Sequence, residues 1–184
     1  MNRLFVAIDL PERHRMELVA LAGGIPGARW VPPENIHLTL RFIGNVGGDQ
    51  MTDIDHSLAQ VRAPGFDIVI QGVEHFRRGR KPSTLWAGIA KNPALMTLQD
   101  KIEAALVRAG VAPDGRKFTP HVTLARLKDA PRGRVHDMIA RNGLMRLPPF
   151  PATSFTLFSS FLARSGAIHR VEAIYPLETA EVAT

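Results

Sequence analysis

The chain has 184 residues, of which 45% are hydrophobic and 22% charged, and it contains no cysteine. A chain of this length builds its own core, and the missing thiols exclude disulfides, zinc–thiolate sites, iron–sulfur clusters and a cysteine nucleophile. The net charge of +6 is unevenly divided, because residues 77–146 hold 15 Lys/Arg against 5 Asp/Glu while the rest is mildly acidic. A basic half on such a frame suits either an anionic partner, phosphates first, or a solvated face that keeps the protein soluble.

The chain opens with five apolar residues, Leu4 to Ile8, before Asp9. They are too few for a signal-peptide core, and no run nears the roughly 20 residues of a membrane helix. A soluble, cytoplasmic protein without a membrane partner is expected. The run Leu4–Ile8 reads as a buried strand, since it is short, continuous and rich in β-formers. Residues 11–22 follow as a helix stopped by Gly23-Gly24. A loop with Pro26, Pro32 and Pro33 leads to a second strand over 36–43, ended by Gly44. A helix near 50–62 and a strand near 66–73 come next.

The opening order then returns. Residues 84–89 read as a strand, and 94–109 as an amphipathic helix with Leu95, Leu98, Ile102, Ala105 and Leu106 on one face. A loop with Pro113 and Gly115 leads to the strand that begins at His121. Phe5 lies 32 residues before His37, and Trp86 lies 35 before His121, so the two aromatics hold matching positions. This is a two-copy internal repeat, about 3–44 and about 84–126, within a single two-lobed domain spanning 1–184. A helix near 132–141 and strands near 153–162 and 168–176 complete the chain.

The chemistry rests on a motif that occurs twice, His37-Leu38-Thr39-Leu40 and His121-Val122-Thr123-Leu124. Composition alone gives about 0.04 copies of HxTL per chain. On a strand, residues two apart share a face, so each histidine stands beside its threonine while Leu38, Leu40, Val122 and Leu124 anchor the other side. A single HxT needs no more explanation than a satisfied strand histidine and an ordinary β-former. Two, at equivalent points of a repeat, suggest a central cavity with two imidazoles and two hydroxyls. Such a pair suits in-line displacement at phosphorus: one neutral histidine accepts a proton from the attacking oxygen, and one protonated histidine supplies the leaving oxygen. Thr39 and Thr123 would hold the non-bridging oxygens. Sequence symmetry does not say which histidine does which.

The segments Arg3–Pro11, Pro33–Gly44, Phe118–Arg126 and Phe155–Ser160 resemble the 2H phosphoesterase superfamily. Within it they are similar to the RNA 2′,3′-cyclic phosphodiesterases, historically called 2′-5′ RNA ligases, over residues 3–177. The resemblance implies an α+β, LigT-like fold of two similar lobes of antiparallel sheet with flanking helices and an active site in the central cleft. It implies hydrolysis of RNA 2′,3′-cyclic phosphate ends to 2′-phosphomonoesters, without metal or cofactor, with reversible 2′-5′ joining as a side activity. It further implies that His37 is the proton donor, His121 the acceptor and Arg126 a phosphate contact. Strand parity puts Arg126 on the face away from His121, so that role requires an intervening bulge or strand end. His169 departs from the aromatic residue common among relatives. The alternatives are a cyclic phosphodiesterase acting on a small nucleotide such as an ADP-ribose cyclic phosphate, or a catalytically silent RNA-end binding module. A monomer acting on RNA or a cyclic nucleotide is expected.

Further candidates are Arg41 and Phe5. Arg41, four residues after His37, shares its predicted face and either holds phosphate or is a solvated strand arginine. Phe5 could stack a base, as could Trp86, whereas Phe42 falls on the Leu38/Leu40 face and reads as core. Arg77-Arg78-Gly79-Arg80-Lys81 reads as a loop that either rides on an RNA backbone or is simply solvated. Asp49, Asp53, Asp55 and His56 read as an acidic helix start that needs no metal.

Overall fold

The computed structural model describes residues 1–179. The first half comprises β1 (Asn2–Asp9), α1 (Glu12–Val19), β2 (Ala28–Trp30), a 3-10 turn (Pro33–Asn35), β3 (His37–Val46) and α2 (Gly48–Ala59). The chain continues through β4 (Phe66–Ile68), β5 (Ile70–Arg78), β6 (Lys81–Ile89), α3 (Pro93–Arg108) and β7 (His121–Leu127). It ends with α4 (Arg132–Arg141), β8 (Phe150–Ala152), β9 (Ser154–Ala163) and β10 (Gly166–Pro176). One sheet runs in the order β10-β9-β1-β3-β7-β6-β5, with β2 added alongside β7, while β4 and β8 form a separate pair. Every pairing within the named strands is antiparallel.

The main core lies on one face of the large sheet. Leu38, Leu40, Val122 and Leu124 are all buried there with the apolar stripe of α3. Asn92 caps α3 by accepting the Leu95 N–H at 3.0 Å, and Pro93 occupies the first turn, where a missing N–H costs little. β1 shows no alternation because both of its faces are covered. Leu4, Val6 and Ile8 enter the main core, and Phe5 and Ala7 form a second small cluster with Phe158 on the opposite face.

The strands that carry the two HxT motifs have matching registers. Asp9 pairs His37 and Ala7 pairs Thr39 in the first copy; Gly88 pairs His121 and Trp86 pairs Thr123 in the second. Trp86 is therefore the counterpart of Ala7, and Phe5 of Thr84, which corrects the equivalence of Phe5 with Trp86 expected from spacing. Both copies also slip by one residue at the same point. Val6 pairs Arg41 and Leu85 pairs Ala125, leaving Leu40 and Leu124 unpaired in matching bulges.

Four further segments differ from the sequence reading. The strand expected over 66–73 is divided at Val69, where the chain leaves the β4–β8 pair and joins β6. β2 and β8 were hidden in proline-bearing loops, since each is only three residues long and exists through its partner strand. The basic run 77–81 is the tip of the β5–β6 hairpin, with Arg78 paired to Lys81. Among the described residues no helix is long and apolar enough to cross a membrane.

Candidate active site

The halves of the sheet meet between β3 and β7 through one ladder pair, Leu38 with Val122. In an antiparallel pair this register sets residue 37 nearest 123 and residue 39 nearest 121, all four on the face opposite Leu38 and Val122. The two HxT motifs thus form one patch, with each histidine diagonal to the other and next to the other motif's threonine. No third element is needed to bring them together.

His37 is buried, only 7% exposed, within an aromatic shell. Its ring centroid lies 4.6 Å from Phe158, 5.3 Å from His169 and 6.0 Å from Phe5. Burial lowers its pKa to about 4, with His169 and Arg15 contributing in the same direction. Asp9 and the Asn35 backbone oppose the shift. The Asp9 carboxylate is itself held by Arg15 at 3.1 Å, so its charge is already partly answered.

His121 stands against Phe76 and Trp86, at centroid distances of 4.9 and 5.6 Å. Its Nδ1 lies 2.7 Å from the Thr119 carbonyl oxygen, which can only accept. Nδ1 therefore carries the proton in the neutral ring, and Nε2 is left as the basic nitrogen. Burial lowers the pKa of His121, and the positive charge of Arg126 lowers it further.

The two bulges decide which neighbours join the site. The Leu124 bulge turns Arg126 onto the face of His121 and Thr123, opposite Thr84, which meets the requirement parity had set. The Leu40 bulge does the reverse to Arg41. Its guanidinium leaves the histidine face and is buried toward α3, bonding Glu103 at 2.6 Å and the Ala112 carbonyl at 2.6 Å. Arg41 is thus a structural ion pair and not a phosphate ligand. The same slip brings Phe42 onto the site face, where it is 56% exposed and 5.9 Å from Phe5, instead of in the core. Phe5 lies on the site face but is 4% exposed, stacked against Phe158 at 5.1 Å with the His169 edge at 4.8 Å. It supports the His37 ring and offers a base no open face.

Phe158, Phe76 and Asp9 were missed as site neighbours. Their signal lay in strand register, not in any local motif. His169 reaches the His37 side from β10, whose Ala167 carbonyl accepts the Asn35 side chain at 2.8 Å just before His37. Of the acidic residues of α2, Asp55 accepts the Tyr175 hydroxyl at 2.6 Å. Among the described residues no three His, Asp or Glu side chains form a metal-binding group.

A sequence model of the 2′-5′ RNA ligase superfamily matches residues 24–164, which include both HxT motifs and Arg126. The chain belongs to the 2′-5′ RNA ligase superfamily. Among superfamily proteins, it is 33% identical to the RNA 2′,3′-cyclic phosphodiesterase of Aeropyrum pernix over 80% of this chain and 84% of that one. It is 30% identical to the enzyme of the same name from Thermotoga maritima, over 92% of each. The fold is similar to that of Escherichia coli LigT complexed with 3′-AMP, with a TM-score of 0.77, 28% identity and coverage of 96% of this chain and 98% of that one.

Proposed function

We propose that this chain is an RNA 2′,3′-cyclic phosphodiesterase that opens the cyclic end to a 2′-phosphomonoester by two-histidine acid–base catalysis. The observation that carries the reading is the β3–β7 seam, which gathers two imidazoles and two threonine hydroxyls on one face. The relatives' shared activity name supports the substrate class.

His121 is the proton acceptor. Its Nδ1 is committed to Thr119, the nearby Arg126 disfavours protonation, and Nε2 is free to take a proton from water. The water oxygen attacks phosphorus, the bond from phosphorus to the ribose O3′ breaks, and His37 donates a proton to O3′. The product is a 2′-phosphate beside a 3′-hydroxyl. Thr39, Thr123 and Arg126 hold the non-bridging oxygens, where negative charge concentrates. His37 is neutral near pH 7 in the free protein, so it gains its proton with the substrate, whose phosphate anion favours the imidazolium. Joining through a 2′-5′ linkage uses the same groups in the same roles: a 5′-hydroxyl replaces the water, gives its proton to His121 and attacks phosphorus, while O3′ leaves with the proton of His37.

The test is to incubate an RNA carrying a 2′,3′-cyclic end with the protein in excess EDTA and to map which ribose oxygen keeps the phosphate after ring opening. The expected product is the 2′-phosphate at an undiminished rate. A 3′-phosphate, or a strict need for added divalent metal, would refute the reading.

A further inference from the structure

β2 places an arginine that the mechanism does not use. Arg29 pairs directly with Arg126 across β2 and β7. Residues opposed in an antiparallel pair point to the same face. The neighbours of Arg29 confirm its direction, because Ala28 and Trp30 pack against the main core and leave Arg29 on the histidine side. Two guanidinium groups therefore stand side by side next to the HxT patch. Among the described residues neither forms an ion pair.

Like charges directly opposed across strands are destabilising. This pair is also built with some care. Gly27 enters β2 at a φ of +81°, and a Cβ there would overlap the Lys128 carbonyl. The Gly27 carbonyl accepts the Lys128 N–H at 2.9 Å, and the carbonyl of bulged Leu124 accepts the Val31 N–H at 2.9 Å. β2 thus clamps the bulge that presents Arg126 and, by the same bonds, sets Arg29 beside it. The unmatched pair is one strand spacing wide, about 4.8 Å, with Arg29 on the same edge of β7 as β3.

We infer that Arg29 binds a second phosphate of the substrate, the internucleotide phosphate on the 5′ side of the terminal nucleoside. This deepens the proposed function, on which it rests, by assigning the site to an RNA chain over an isolated cyclic nucleotide. An RNA with a 2′,3′-cyclic end has no further phosphate on its 3′ side, so a second anion can come only from the 5′ side. A mononucleoside 2′,3′-cyclic phosphate lacks it altogether.

The experiment compares Arg29→Gln and Arg29→Lys with the unsubstituted protein on two substrates, a mononucleoside 2′,3′-cyclic phosphate and a dinucleotide with the same cyclic end. In Arg29→Gln the ratio of kcat/KM for dinucleotide over mononucleotide should fall about tenfold, as for one lost charge-assisted hydrogen bond. The slope of log kcat/KM against log salt for the dinucleotide should flatten by about 0.7. Arg29→Lys should keep that slope. The melting temperature of Arg29→Gln should not fall, since the change relieves a like-charge pair. An unchanged substrate ratio, or an equal loss on both substrates together with a lower melting temperature, would overturn the inference and leave the proposed function standing. A larger loss on an ADP-ribose cyclic phosphate than on the dinucleotide would overturn it as well. No turnover of either RNA substrate by the unsubstituted protein would instead count against the function itself.

Discussion

His37 and His121 lean on the backbone in the same way, yet their surroundings differ. Replacing either with alanine should cost at least about 100-fold in rate, the lower end for a positioned acid or base. The double variant should be little worse than the worse single one, because the two act as a unit. A near-normal rate in either single variant would return that histidine to an ordinary strand position. Both pKa values lie below the usual 6.5, that of His37 at about 4. In the proposed mechanism the competent form has one imidazole protonated and one neutral, so it is most populated between the two values. The optimum of kcat/KM, which reports the free protein, should therefore lie on the acid side of 6.5, and that of kcat at higher pH, since bound phosphate raises both. A kcat/KM optimum above neutrality would refute this. The same burial makes His37 a stability determinant. Its folded pKa is depressed, so the folded state binds fewer protons than the unfolded chain below pH 6.5. Its contribution is complete above that pH and is lost as pH falls toward 4, up to about 3 kcal/mol. Denaturant melts at pH 7.5 and 4.5 should show this difference, and His37→Phe should reduce it.

At the scale of elements, two unpaired leucines decide what the site contains. Helices and strands follow from apolar spacing, and both HxT motifs are legible because period-two alternation holds from His37 to Thr39 and from His121 to Thr123. Parity fails at the next residue. Leu40 and Leu124 look like any inward strand leucine, and nothing local marks them as bulged, because a bulge is a property of two strands in register. For this reason Arg41 and Phe42 exchange the faces that simple alternation assigns them. Arg126, which simple parity puts on the far face, is turned onto the face of His121 and Thr123. β2 and the Arg29–Arg126 pair were equally hidden, since three residues between prolines carry no strand signal without β7. The consequence for Arg41 is measurable. Its buried guanidinium depends on Glu103, whose carboxyl the arginine and the Asp114 N–H hold below its ordinary pKa against the opposing effect of burial. Glu103→Gln leaves a buried cation with only carbonyl partners and should cost about 3 kcal/mol. KM for a cyclic mononucleotide, measured below the melting transition, should stay the same. A raised KM with unchanged stability would put Arg41 back among the phosphate ligands.

Across the whole molecule, five arginines follow one direction along β7 and β6. On the site face of β6, Gly88 pairs His121, Trp86 pairs Thr123 and Thr84 pairs Arg126, and the strand then runs to the hairpin tip. Basic residues therefore continue outward from the reacting phosphate, first Arg126 with Arg29 and then Arg77, Arg78 and Arg80. Lys81 is held by Asp129 at 2.9 Å, whereas the three arginines form no ion pair among the described residues. A solvated tip and an RNA track would look alike in charge, but they differ in their response to salt. Each phosphate neutralised on a single strand releases condensed counterions and steepens log K against log salt by about 0.7. If the tip follows the RNA backbone, replacing Arg77, Arg78 and Arg80 together with glutamine should flatten the slope for a cyclic-ended oligonucleotide by up to about 2. The slope for a mononucleotide is shallow in either case, because it cannot reach the tip. Length dependence adds a second constraint, since the effect should be absent for a dinucleotide and grow only once the RNA is long enough to extend past Arg29. An oligonucleotide slope that the triple substitution leaves unchanged at every length would assign the tip to solvent, and the charge that selects RNA would then end at the Arg29–Arg126 pair.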